Sequence, residues 1–269
     1  MAYPVIDAPY GFKPINLIGG QVFSGSTREY PIAYNYGTAI FYGDFVQLSS
    51  GFITILANTI TGNAAVGVFL GCSYTDPVSK QKRFSQYYPA NTLAGDIKAI
   101  VCDDPDTVFR AAVVTAAGTA TIASGSQLLV GQNMAGNTST GSTATGNSAG
   151  GVVAASSSTG NFRVLGLVPD TQTSSACGYV SGTGTTTINV SGLSIGQVIP
   201  VGTDMFQIVA ANGQLQWIGV VSTAATVSST TSQALTMASA TTASGSLVLV
   251  QSPEVLVKIT FGAHRYYVA

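Results

Sequence analysis

Three carboxylates fall within four positions of the segment VCDDPDTVF, residues 101–109, in a chain of 269 residues that has eleven acidic residues in all. Asp103, Asp104 and Asp106 could bind a hard cation or act as an acid/base pair. A calcium loop of the EF-hand type would end in a glutamate, which is missing. Asp side chains accept hydrogen bonds from nearby backbone N–H groups and Pro presets φ, so the segment is predicted to be a turn. A metal site at the three aspartates is the alternative, and no cofactor is predicted.

A second motif has the form of a serine nucleophile. Residues 146–150, GNSAG, match G-x-S-x-G around Ser148, and Asp170, Asp204 and His264 follow in the order of an α/β-hydrolase triad. A nucleophile elbow needs a buried strand before the serine and a helix after it, whereas both flanks here are rich in Gly, Ser and Thr. We therefore predict that the protein is not an enzyme and that His264 lies on the surface.

The cysteines offer neither a disulfide framework nor a zinc site. Cys72, Cys102 and Cys177 are odd in number and form no C-x-x-C pair. They are predicted to be buried thiols of a protein made in a reducing cytosol.

Composition points to a protein that works inside an assembly. Hydrophobic residues make up 46% of the chain but charged residues only 8%, against roughly 25% in an average soluble domain. A surface with so few charges lacks the repulsion that keeps free monomers apart.

Charge and hydropathy patterns also exclude two classes of partner. The net charge is -1 and there is no basic run, so no binding to nucleic acid is predicted. The start has no basic segment followed by an apolar one, and no stretch reaches about 18 uninterrupted apolar residues. We therefore predict neither export through a signal peptide nor a membrane-spanning segment.

Residues 1–20 are predicted to be an extended arm. Pro4, Pro9 and Pro14 are five residues apart, and each biases its own and the preceding residue away from helix. The arm either forms an edge strand on its own domain or docks on a neighbouring subunit, because ordering so apolar a segment requires burial. The residues predicted to make capsid or subunit contacts are Tyr3, Ile6, Tyr10, Phe12, Ile15 and Leu17.

The rest of the chain reads as an all-β protein, either a sandwich or a barrel. From Gly43 onward, short alternating segments are separated by Gly, Asn or Ser turns every 8 to 12 residues or so. Residues 131–160 are low in complexity and are predicted to form a flexible surface loop or short edge strands. The almost uncharged residues 171–252 are predicted to be an inserted small β-sandwich or barrel, with a hairpin turning at Asn212-Gly213.

Several segments in fixed order resemble one family. They are APYGFKP, GGQVF, PIAYNYGTAIFYGDFVQL, AAVGVFLGCSYTD, FSQYYPANT, IKAIVCDDPDTVF, NFRVLGLVPD and VLVKITFGAHRY. This succession is similar to that of tailed-bacteriophage head proteins, cyanophage proteins among them, which are considered capsid decoration or cement proteins. The likeness covers residues 1 to about 130, 160–170 and 253–267. The part around GDFVQL and AAVGVFLG also resembles the β-tulip fold of small trimeric decoration proteins.

The resemblance implies a structural role in the virion. It implies a β-tulip or barrel-like body over residues 21–170 and 253–269, with residues 171–252 as an insertion that faces outward. The implied partners are the major capsid protein and other copies of the chain in a homotrimer. The implied location is the outer capsid surface, after synthesis in the bacterial host cytoplasm.

One alternative function stays open. The Thr/Ser-rich insertion carries Tyr179, Phe206 and Trp217, a composition that also suits a receptor- or glycan-binding head of a trimeric head or tail fibre. Such fibres usually show long repeats or a shaft, and neither is found in this sequence.

Overall fold

The computed structural model describes residues 6, 8–56, 65–115, 121–156, 160–260 and 264. The all-β class is confirmed, because strands supply nearly all of the regular structure. Within these ranges the helical pieces are two 3-10 turns, Gln127–Leu129 and Pro169–Thr171, and no helix is long and apolar enough to cross a membrane.

Twenty strands follow one another along the described chain. They are β1 (Phe12–Leu17), β2 (Arg28–Pro31), β3 (Phe45–Ser49), β4 (Phe52–Ile55), β5 (Ala65–Thr75), β6 (Lys82–Ser85), β7 (Lys98–Cys102), β8 (Thr107–Val114), β9 (Asn133–Asn137), β10 (Gly151–Ser156), β11 (Phe162–Leu167), β12 (Thr173–Ser181), β13 (Thr185–Ser191), β14 (Val198–Ile199), β15 (Asp204–Ile208), β16 (Leu215–Val220), β17 (Ala225–Thr226), β18 (Gln233–Thr241), β19 (Ser246–Gln251) and β20 (Glu254–Ile259).

The first sheet closes into a five-stranded barrel in the order β8, β10, β9, β11, β20 and back to β8. The β8–β10 pair is parallel and the other pairs are antiparallel. Strand β1 pairs antiparallel with β8 and extends the barrel on that side. The barrel core centres on three aromatic rings. Phe12 and Phe162 are stacked with their centroids 4.3 Å apart, and Phe45 is tilted against Phe162 at 4.7 Å.

The low-complexity segment 131–160 supplies two strands of this barrel. Met134 on β9 and Val152 on β10 are fully buried in its core, so this part differs from the predicted surface loop or edge strands. Small residues make the close packing possible. A Cβ at Gly136 would lie 2.7 Å from a ring carbon of Phe162, so only glycine leaves room for that ring.

The second sheet has the order β2, β7, β5, β3, β4, with β6 paired to the far end of β5. Its central strand β5 is buried on both faces, which explains the nearly continuous apolar run AVGVFLG. Val68 belongs to the barrel core, whereas Val66 and Phe69 pack into a second core on the opposite face. The sheet therefore lies between two hydrophobic cores.

The third sheet is built entirely from residues 173–251, in the order β16, β15, β19, β12, β13, β18. A bridge between Val221 and Met237 brings its two edges together, and β14 pairs with β17 as a separate ribbon. Its core is distinct from the other two and contains Ile188, Leu235 and Leu249. The hairpin at Asn212-Gly213 is confirmed as the β15–β16 pair.

The third sheet is inserted in the connection of a barrel hairpin. Strands β11 and β20 pair antiparallel up to Leu167 and Val255, and everything between them in sequence leads into the third sheet and back. On the last strand, β20, the side chains of Val255, Val257 and Ile259 are all buried.

Candidate functional site

The acidic segment is a turn, as predicted, and its three carboxylates have separate partners. The buried Asp103 accepts a hydrogen bond from the Tyr30 hydroxyl at 2.7 Å and pairs with Arg28 at 3.3 Å. Asp104 Oδ1 accepts the Asp106 N–H at 2.9 Å, and Asp106 Oδ1 lies 3.5 Å from Lys258 Nζ. In the described part of the chain, no group of three His, Cys, Asp or Glu side chains is placed to hold a metal ion.

The G-x-S-x-G segment is a structural loop in this fold. Ser148 is buried, its Oγ accepts the Gly150 N–H at 2.9 Å, and its own N–H donates to the Tyr42 carbonyl at 2.9 Å. Burial raises the pKa of the neighbouring Asp44 to about 6, and the Ser148 hydroxyl and the Phe41 N–H, which face this carboxylate, oppose the rise. The serine therefore joins the loop to the turn before β3.

The other members of the predicted triad order do not meet Ser148. Asp170 is exposed on the 3-10 turn Pro169–Thr171, whereas Asp204 is buried and bonded to Ser126. The prediction that His264 lies on the surface is wrong, because its side chain is fully buried and Nε2 lies 3.1 Å from the Asp103 carbonyl oxygen. A bridge to Ala65 draws this residue inward, and burial lowers the pKa of its imidazole.

The prediction of buried cysteine thiols is confirmed. Cys72, Cys102 and Cys177 are free and buried, one in each of the three cores. Burial raises the pKa of Cys72 to about 12 and of Cys102 and Cys177 to about 11. Because the thiolate is the reactive form, all three are inert packing residues at neutral pH.

The predicted contact residues of the arm divide between core and surface. Tyr3 lies outside the described residues, and Ile6 and Leu17 are half-buried. Phe12 is 1% exposed and belongs to the core of its own barrel, so it is not available to a neighbouring subunit. Ile15 is 38% exposed on β1 and remains open to a partner.

Tyr10 is bound to the barrel through a buried ionic group. Its hydroxyl donates to Glu254 Oε1, while Arg110 Nε donates to Glu254 Oε2 at 2.7 Å. Burial raises the pKa of the Tyr10 phenol, as does the hydrogen bond to Glu254. The carboxylate of Glu254 is almost completely buried, so this charge depends on its two partners. The network connects the arm to the first residue of β20.

Three apolar side chains are exposed just after the point where the arm joins the barrel, and together they are called the apolar strip. It consists of Ile15, Ile18 and Val22, which are 38%, 44% and 80% exposed. The backbone that carries the strip is fixed, because Ile18 N–H donates to the Asp106 carbonyl and Asn16 forms a bridge with Val22. The three exposed side chains of the strip are therefore carried by a fixed backbone.

A second apolar surface lies on the sheet that contains β5 and β6. Phe84 on β6 is largely exposed beside a shallow groove of about 510 Å³ that is also lined by Tyr42, Leu70 and Ile100. An exposed aromatic residue next to an open apolar groove is typical of a surface that contacts another protein.

No family model, curated protein or solved structure matches this chain. The resemblance to phage decoration proteins therefore stays a prediction, and the surfaces of the molecule carry the functional interpretation.

The insertion holds a third surface feature, a cleft of about 700 Å³. Two of the three aromatic residues predicted for a binding head, Tyr179 and Trp217, line this cleft, whereas Phe206 is half-buried on β15 and is not part of the lining.

Two functional positions were missed by the sequence interpretation. Asp204 was considered only as a triad member, yet it holds Trp217 through a hydrogen bond of 2.8 Å. Asp204 is the only charged residue between 171 and 252, which was a usable signal. Glu254 gave a weaker signal as the first acidic residue after the insertion.

Proposed function

We propose that this protein binds the outside of a phage capsid and cements neighbouring major capsid protein subunits, which stabilises the DNA-filled head. The observation that carries the proposal is the apolar strip of Ile15, Ile18 and Val22 on a rigid edge of the barrel. A chain with so few charges can approach a protein surface without strong repulsion or a large cost of desolvating ions.

The expected energetics suit a protein present in many copies. Burying about 200–400 Å² of apolar surface contributes about 5–10 kcal/mol at about 25 cal/mol per Å², before the costs of association are subtracted. The strip needs little further ordering, since its backbone is already held by β1 and the Asp106 carbonyl. A modest net gain for each copy, repeated over the head, opposes the separation of coat subunits. This role is structural and requires no catalysed reaction.

The test is binding to phage heads that lack the protein. Purified chain is mixed with such heads, and bound copies are counted after gradient sedimentation. Deletion of residues 2–18 would remove Phe12 from the core, so the double variant Ile15→Ser/Ile18→Ser is preferable. We expect a loss of affinity of about five- to 150-fold, because two exposed apolar side chains contribute about 1–3 kcal/mol together.

Val78→Ser is the matched control, since Val78 is 89% exposed on the turn between β5 and β6 of the second sheet. It should bind heads like the wild-type chain. Failure of the wild-type chain to bind either empty or filled heads would refute the proposal, and so would a labelled chain that images at the tail.

We further propose that the protein acts as a homotrimer in which the surface around Phe84 contacts the next copy. Support comes from the position of this apolar surface, which lies on a different sheet from the strip on β1. Sedimentation equilibrium of the purified chain should give three times the chain mass, and Phe84→Ser should lower it. A wild-type chain that remains monomeric at all concentrations would contradict the trimer but not capsid binding.

A further inference from the structure

The insertion contains an uncharged cleft that has the chemistry of a carbohydrate site. Its volume of about 700 Å³ falls within the range of small-ligand sites, and its walls come from the β15–β16 hairpin, from Tyr179 on β12 and from residues 240–244. Every residue that lines the cleft is uncharged. Phosphate, sulfate and carboxylate groups would find no cationic partner there, and a cation would find no carboxylate.

Trp217 is held in a fixed position at the rim of the cleft. Its indole Nε1 donates to Asp204 Oδ1 at 2.8 Å, which turns the polar edge of the ring toward the protein. Asp204 is 2% exposed and is itself held by the Ser126 hydroxyl at 2.6 Å and the Gln127 N–H at 2.8 Å. The ring nevertheless remains 38% exposed and lines the cleft. An aromatic face of this kind attracts the partly positive C–H groups on the apolar face of a pyranose ring.

The opposite wall is equally fixed by hydrogen bonds between neighbouring loops. The Tyr179 hydroxyl accepts the Thr183 N–H at 2.8 Å. Thr183 Oγ1 in turn donates to the Ala243 carbonyl at 3.2 Å and accepts the Ala243 N–H at 3.1 Å. A binding site whose walls are already ordered loses less entropy when a ligand enters.

Neutral polar groups supply the hydrogen-bonding capacity. Gln207 Nε2 donates to Ser244 Oγ at 2.9 Å, so this pair presents a defined set of donors and acceptors. The side chain of Gln216 is exposed and makes no hydrogen bond within the described residues, which leaves its amide for a ligand. Amides and hydroxyls of this type match vicinal hydroxyl groups, each of which both donates and accepts.

We propose that this cleft binds a neutral saccharide, a single hexose unit or a short oligosaccharide, hydrogen-bonded by the cross-strand pair Gln216 and Gln207 and bordered by Trp217 at the rim of the cleft. The site lies wholly within the insertion, and the inference does not depend on capsid binding.

The chain provides its own reporter, because Trp217 is its only tryptophan. The purified full-length chain is titrated with glucose, galactose, mannose, N-acetylglucosamine and their short oligomers while tryptophan fluorescence is recorded. A neutral glycan array with the labelled chain serves as the second readout. We expect a saturable fluorescence change with at least one neutral saccharide at concentrations up to about 10 mM, the range of weak single-site binding.

Two variants and one control decide whether the saccharide binds in the cleft. Trp217→Ala should lower array binding by about tenfold or more, and Gln216→Ala should lower affinity about three- to tenfold. Gln216→Ala keeps the test informative if Trp217→Ala folds poorly, because the Gln216 side chain is exposed. Gln81→Ala removes an exposed amide outside the cleft and should bind like the wild-type chain.

Three results would overturn the proposal. They are no response to any neutral saccharide by either readout, binding that both cleft variants leave unchanged, and binding of acidic glycans alone. Because no phage heads are used, each of these results would leave the capsid proposal standing.

Discussion

At the scale of single residues, the buried Asp44 makes stability depend on pH in an unusual direction. Its folded pKa is raised by burial to about 6 from an ordinary value of 3.8. The folded state therefore holds more protons than the unfolded state between these values, and this group lowers stability as pH rises through the window. Most carboxylates in proteins act in the opposite sense.

Replacing the Asp44 carboxylate tests the direction of this pH dependence. Between pH 4 and pH 7, ionisation of Asp44 should lower the free energy of unfolding of the wild-type chain by about 2–3 kcal/mol. Asp44→Asn should remove this pH dependence, and the Asn side chain still offers an acceptor to the Phe41 N–H. Urea unfolding at four pH values across this range measures the difference between the two curves. Parallel curves for the two proteins would contradict the prediction.

Asp76→Asn is the control, because Asp76 should affect the pH dependence of stability in the opposite direction. Hydrogen bonds from the Ser79 N–H and from Arg83 lower the pKa of Asp76 to about 2. Its contribution is present above pH 3.8 and is lost as the pH falls toward 2. Removal of this carboxylate should therefore reduce stability at pH 7.

At the scale of elements, the contact between the insertion and the barrel includes one very close backbone approach. Gly202 has φ of +86°, and a Cβ at this position would lie 1.9 Å from the Ser124 carbonyl oxygen. The two backbones are joined there by the Ser124 N–H, which donates to the Val201 carbonyl at 2.8 Å.

Gly202→Ala should therefore lower the free energy of unfolding by more than about 2 kcal/mol, through both backbone strain and overlap with Ser124. Gly196→Ala provides the comparison, because Gly196 has φ of +82° and nothing within 4 Å of an added Cβ. Its cost should be only that of the strained backbone, about 1 kcal/mol. Equal losses in urea unfolding would show that the close approach does not matter.

The position of the insertion predicts that the barrel folds without it. Leu167 pairs with Val255, and the Val168 N–H donates to the Glu254 carbonyl. Replacing residues 169–253 by Asn-Gly should therefore leave a two-residue hairpin between β11 and β20. We expect cooperative unfolding monitored by circular dichroism, with reduced stability because Ser126 and Gln127 lose Asp204. A shortened chain without a cooperative transition would disprove independent folding of the barrel.

At the scale of the whole molecule, the scarcity of charge predicts that salt has little influence on self-association. The proposed contact around Phe84 is apolar, and the net charge of -1 gives almost no repulsion to screen. Sedimentation equilibrium in about 0.05 M and about 0.5 M NaCl should give trimer dissociation constants within about threefold of each other. Dissociation of the trimer at the higher salt concentration would indicate an ionic interface instead.

The sequence predicted the fold class and many strands because their residues alternate locally and their turns carry Gly or Asn. The Asn212-Gly213 hairpin and the acidic turn at Asp104 are local structures of this kind. Short edge strands were one alternative for residues 131–160, but the burial of Met134 and Val152 in the barrel core was not predicted, because the many small residues of this segment show no hydrophobic periodicity. The burial of His264 depends on Asp103, which is remote in sequence. The cleft likewise forms only when Tyr179 and Trp217 are brought together by the rolled third sheet.

The paired exit and entry of the chain at Leu167 and Val255 have a practical consequence. A folded unit can replace the insertion at this junction if its two termini are as close to each other as two neighbouring strands. The sequence of the barrel then needs no change. The same property would let recombination exchange residues 171–252 for another folded unit while the strands of the barrel stay unchanged.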